Sequence, residues 1–72
     1  MSKKWTSDEC KICSIYILEN IGNLQRAFRM TEKDTGRPIQ SIAKSYYSSN
    51  STLGKYLSNK NIYEIIFIKN KL

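Results

Sequence analysis

From Trp5 to Ser49 the apolar positions recur every three or four residues, and beyond Ser51 they crowd together. The first rhythm predicts helices. In "KKWTSDEC" Thr6 is placed as an N-cap and Glu9, three residues on, completes a capping box; Ser7, Asp8 and Glu9 complement the helix dipole. Trp5 before the cap and Cys10 in the first turns are the two places a hydrophobic staple joins. Cys13, Tyr16 and Ile17 continue the stripe, and Gly22 in "ENIGN" is the natural stop. A second helix starts from Asn23 as N-cap, with Leu24, Ala27, Phe28 and Thr31 inward and Arg26, Arg29 and Lys33 outward, and closes at Gly36. Pro38 fits the first turn of a third helix, about residues 38–49. It turns Ile39, Ile42 and Tyr46 inward and leaves Gln40, Ser41, Lys44, Ser45 and Ser48 as a polar face. Two helices joined by a tight turn holding glycine form a helix-turn-helix arrangement.

"SSNST" interrupts the pattern, and its simplest reading is a loop. The C-terminal stretch "LGKYLSNKNIYEIIFIKNKL" is rich in β-branched and aromatic residues, with turn chemistry at Ser58-Asn59-Lys60-Asn61. This predicts a β-hairpin pairing residues 55–57 with 62–68. A fourth helix competes, because Ile62, Ile65 and Ile66 also lie at helical spacing. As a strand, "IYEIIFI" is apolar on both faces; one face packs on the helices, and the other, or the edge, is left to a homodimer or a protein partner. The expected fold is mainly α: a three-helix, helix-turn-helix bundle over residues 1–50, with a hairpin extension over residues 51–72 packed on it.

Composition narrows the function. Seventy-two residues form one small unit whose core supplies only ~3–5 kcal/mol of net stability and leaves little material for a catalytic pocket. Histidine is absent, which removes the commonest general base and metal ligand, so no enzymatic activity and no cofactor are expected. Twelve Lys and Arg against six Asp and Glu give a net charge of +6. Such a chain attracts polyanions, nucleic acid first, and its interleaved Tyr and Trp suit stacking beside phosphate contact. The helix with the polar face carries no acid, and none occurs between Asp34 and Glu64. "MSKK" leads into no apolar run, and Ile65–Ile68 is far short of a bilayer span, so an intracellular protein without a membrane partner is expected. Cys10 and Cys13 form a CxxC, but zinc needs four ligands and the chain holds no further Cys or His, so two small apolar residues is the simpler reading. Trp5 and Tyr46 read as core. Tyr47 is open between stacking, contact with a thymine methyl and packing on the hairpin.

"KKWTSDE" resembles the opening of the Myb/SANT helix-turn-helix family, Trp-Thr-x-Glu-Glu, and "GRPIQSIAKSY" resembles its third helix in Gly36-Arg37, Ile42 and Tyr46. The resemblance spans roughly residues 3–49, although the family's three spaced tryptophans are reduced to one, Trp5. Short single-repeat members of this kind point, by analogy, to a phage or bacterial regulatory factor acting in the bacterial cytoplasm. The resemblance implies a Myb/homeodomain-like fold whose third helix enters the major groove of double-stranded DNA. By position, Gln40, Lys44, Tyr47 and Ser48 would contact bases, and Lys3, Lys4, Arg37, Ser41 and Ser45 phosphates. Ala43 stands where the family often has a polar residue. The SANT branch binds proteins instead, and docking on a host or virion protein is the alternative function.

Overall fold

The computed structural model describes residues 4–71, which fold into five helices: α1 (Ser7–Glu19), α2 (Leu24–Thr35), α3 (Ile39–Tyr47), α4 (Thr52–Asn59) and α5 (Ile62–Lys71). The start of α1 is fixed by its capping box. The Glu9 backbone N–H donates to Thr6 Oγ1 at 3.1 Å, and the Thr6 N–H donates to Glu9 Oε1 at 2.9 Å. Asn23 caps α2 by accepting from the Arg26 N–H at 3.2 Å. Gly36 ends α2 with φ at 77°, a left-handed conformation that costs a glycine nothing. Arg37 and Pro38 complete a three-residue turn into α3, where Glu32 of α2 accepts from the Ile39 N–H at 2.8 Å. Pro38 itself is the N-cap rather than the first helical residue, and α3 ends at Tyr47, two residues short of the sequence reading.

The C-terminal hairpin does not form, and no β-strand occurs among the described residues. In its place α4 and α5 turn the three-helix expectation into a five-helix arrangement. The signals that favoured a hairpin have a helical explanation. Ser58 and Asn59 are the last residues of α4, Lys60 is its C-cap, and Asn61 takes the left-handed conformation at φ 59°. Asparagine tolerates that conformation equally in a hairpin turn and after a helix. Ser51 caps α4 by accepting from the Gly54 N–H at 2.8 Å. Burial then follows the helical period, through Leu53 and Leu57 in α4 and Ile62 and Ile66 in α5. A strand would have buried alternate residues. With the hairpin goes the dimer edge it would have offered.

These four side chains join Trp5, Cys10, Cys13, Ile17, Ala27, Phe28, Ile42 and Tyr46 in one core. Helix α1 packs on α2, α4 and α5, and α3 packs on α2 and α4, so α1 and α3 are not neighbours. Phe28 and Tyr63 meet the Tyr46 ring edge to face at 5.4 and 5.2 Å, and the Tyr63 hydroxyl donates to the Tyr46 carbonyl. Burial pushes Tyr63 up to about 12. Helix α5 thereby holds the C-terminal end of α3. Gly54 does the same by proximity: a Cβ there would lie 2.0 Å from the Ser48 carbonyl oxygen, so the loop backbone rests directly on α4. No helix among the described residues is long and apolar enough to cross a membrane.

Candidate functional site

Arg37 sits in the α2–α3 turn, and its guanidinium is engaged within the chain. Nε and Nη2 donate to Glu9 Oε2 and Oε1 at 3.0 and 2.8 Å, a two-pronged pair. Nη2 also donates to the Lys4 carbonyl at 3.0 Å, and the guanidinium carbon lies 4.7 Å from the centre of the Trp5 ring. Only 12% of the Arg37 side chain and 21% of that of Glu9 are exposed. Arg37 holds the Glu9 carboxyl below the ordinary glutamate value. Trp5 is buried, and its Nε1–H donates to Ser45 Oγ on α3 at 3.1 Å. One knot therefore ties the chain start, the first turn of α1, the α2–α3 turn and the middle of α3.

The knot forms one wall of a shallow cleft of about 370 Å³, whose lining includes Arg37, Ser41, Lys44, Ser48 and Ser51. A second hollow runs along the other flank of α3, between Ala43 and Tyr47 on one side and Leu24 and Gln25 of α2 on the other. Between the two stands the outward ridge of α3. Gln40, Lys44 and Tyr47, at i, i+4 and i+7, are exposed, Tyr47 by 73%. The edge-to-face contact of Tyr47 with Tyr46, centroids 4.9 Å apart, braces the ring from its inner side.

The residues assigned to DNA from the sequence thus divide. Gln40, Lys44 and Tyr47 come together on the ridge, with half-buried Ser41 and Ser48 along one flank. Arg37 and Ser45 are bound into the knot. Lys4 is exposed beside it, and Lys3 lies outside the described residues. Two residues near the site were not assigned to it from the sequence. Ser51 reaches the cleft as the cap of α4, its hydroxyl donating to the Ser45 carbonyl at 2.6 Å. Gln25 borders the second hollow, which its place one turn before the outward Arg29 could have suggested. Arg26, Arg29 and Lys33 are exposed along α2.

The CxxC offers no comparable site. Cys10 and Cys13 are free and buried; burial pushes the Cys13 thiol up to about 11 and raises that of Cys10. Both are therefore held as thiols, the unreactive form. Among the described residues no three Cys, Asp or Glu side chains converge as metal ligands. No protein-family model, no curated protein and no solved structure matches the chain.

Proposed function

We propose that this protein binds double-stranded DNA through the outer face of α3. The observation that carries the reading is the ridge: Gln40, Lys44 and Tyr47 project together from a helix flanked by two hollows, in a stretch without an acid from residue 35 to residue 63. A helix of this width fits the major groove, and hollows on either side leave room for the backbones. Gln40 can pair with adenine in two-pronged fashion, Lys44 can reach guanine O6 and N7, and Tyr47 offers an apolar surface to a thymine methyl. Ser41 and Lys4 serve phosphates, and the basic row on α2 adds to the field that draws the duplex in. Arg37 and Ser45 act differently from the family-based expectation: they set the position of α3 and leave the contacts to others. The Myb/SANT resemblance agrees with this use of the third helix.

The test is a fluorescence-anisotropy titration of the full chain with a labelled duplex at several salt concentrations. The expected outcome is affinity in the ~10⁻⁴–10⁻⁶ M range for random sequence, falling steeply and log-linearly with salt. Selection from random duplexes should then yield a short preferred site, and Lys44→Ala should relax it at one position. Absence of binding at low salt, or binding indifferent to salt, would reject the reading and favour a protein partner.

A further inference from the structure

Beyond DNA binding, we infer that the outer face of α1 is a self-complementary surface that pairs two copies of this chain. Lys11, Ile12, Ile15, Leu18 and Glu19 fall within roughly a 120° arc of the helix. Ile15 is 44% and Leu18 36% exposed, Ile12 is half-buried, and Lys11 and Glu19 are exposed. Ile15 and Leu18 are two of the five large apolar side chains the described residues leave in solvent. Neither Lys11 nor Glu19 has an ion-pair partner in its own chain among the described residues.

The order of these residues says what covers them. From Lys11 to Glu19 the face reads the same in both directions about Ile15 with its charge reversed. Ile12 and Leu18 lie three residues away on either side, Lys11 and Glu19 four, and exposed Asp8, seven away, stands at the height of Gly22 beyond the helix end. Antiparallel α1 helices related by a two-fold axis at Ile15 bring each residue to the height of its mirror position. Ile15 then meets Ile15 of the partner, Ile12 shares a layer with Leu18, and Lys11 shares a layer with Glu19, twice over. That is the requirement of an isologous interface. A shallow hollow of about 290 Å³ opens on this face between Ile12, Ile15, Tyr16, Glu19 and Asp34. The axis brings the partner's Ile12 to the flank of this hollow, which offers it an apolar seat, and Glu19 at its edge shares a layer with the partner's Lys11. Asp34 is held there by the Tyr16 hydroxyl, which donates to it. Because α1 and α3 are not neighbours, the pairing leaves both α3 ridges uncovered.

The interface is small and the dimer correspondingly weak, so sedimentation equilibrium is run on the full chain without DNA, from about 10 μM to about 1 mM. The expected result is a monomer–dimer equilibrium. Lys11→Glu and Glu19→Lys should each weaken it by about tenfold through like-charge contacts, and the double variant should restore it. Circular dichroism confirms that each variant is folded. An Ile15→Cys variant should oxidise to a covalent dimer, since a helix pair at ~8–10 Å brings symmetry-related residues on the axis within disulfide range, while the native cysteines stay buried. A monomer throughout, a dimer indifferent to either charge reversal, or failure of the double variant to recover would each overturn the proposal. So would a dimer that Ile15→Cys does not cross-link.

Discussion

The knot around Arg37 and the ridge of α3 hold the same kinds of residue, a cation, a polar side chain and an aromatic ring, yet they are opposite in state. In the knot each polar group has a partner in the chain: Arg37 with Glu9 and the Lys4 carbonyl, Trp5 with Ser45. On the ridge Gln40, Lys44 and Tyr47 turn outward. The difference lies in where the partner comes from. Arg37 ends up half-buried beside a carboxylate 28 residues away, and Lys44, exposed on the outer face of α3, meets none. Charge in a sequence counts toward binding only after such internal pairings are subtracted. The two regions are also joined through Ser45, so damage to the knot should reach the ridge, whereas damage to the ridge should stay local.

Breaking the knot at its ring should have the largest effect. Trp5→Ala leaves a cavity and removes the Ser45 contact, at a cost of ~3–5 kcal/mol. That is most of what a chain this size has, so the variant should be largely unfolded by circular dichroism at 25 °C. A variant that stays folded and loses only DNA would show that Trp5 faces the ligand.

Arg37→Ala leaves Glu9 without its partner and uncovers one face of Trp5. Because both side chains keep some contact with water, the expected loss is about 1–2 kcal/mol rather than the larger cost of a fully buried pair. Arg37→Lys should recover only part of it, since an ammonium cannot make the two-pronged contact. Urea midpoints of the three proteins check this.

Acid offers a gentler way to open the same contact. Arg37 lowers the Glu9 value in the folded chain, so the pair contributes stability above the unfolded glutamate value, and that contribution is lost as pH falls through the lower, folded value. Thermal melts of wild type should therefore decline with acid below the ordinary glutamate range, and the decline should be shallower in Glu9→Gln. Equal slopes would remove Glu9 from the knot.

The smallest effect on stability should come from the ridge. Lys44→Ala should leave the urea midpoint within about 0.5 kcal/mol of wild type while weakening DNA binding by ~1–3 kcal/mol. A stability loss comparable to that of Arg37→Ala would erase the contrast between the two regions.

Helix starts and stops in the first two-thirds of the chain were legible because their causes are local. Thr6 and Glu9 are three residues apart, Asn23 caps its own helix, and Gly36 needs no distant neighbour to turn left-handed. The knot was not legible: its contacts span 28 to 40 residues, and nothing near Arg37 in sequence announces Glu9 or Trp5. The C-terminal third failed for another reason. Isoleucine, tyrosine and phenylalanine favour strands as exposed residues of an open sheet, but packing decides once a core is within reach. Ile62 and Ile66, one turn apart, cover α4 and α1 as a helix; alternation would have turned Tyr63 and Ile65 to the opposite face, with no core to receive them. Of the site, the polar face of α3 could be read from spacing alone. Which of its members were already committed could not.

Gly54 has a consequence for how this chain tolerates change. In a library holding every substitution at every position, the face of α3 should vary freely until binding is demanded, whereas position 54 should admit glycine alone even when only folding is selected. Its carbonyl neighbour at Ser48 belongs to the backbone and has no rotamer through which to yield. A profile of tolerated residues would therefore mark as its most restricted site a residue with no side chain and no chemistry, and the mark would report the distance between α4 and the end of α3.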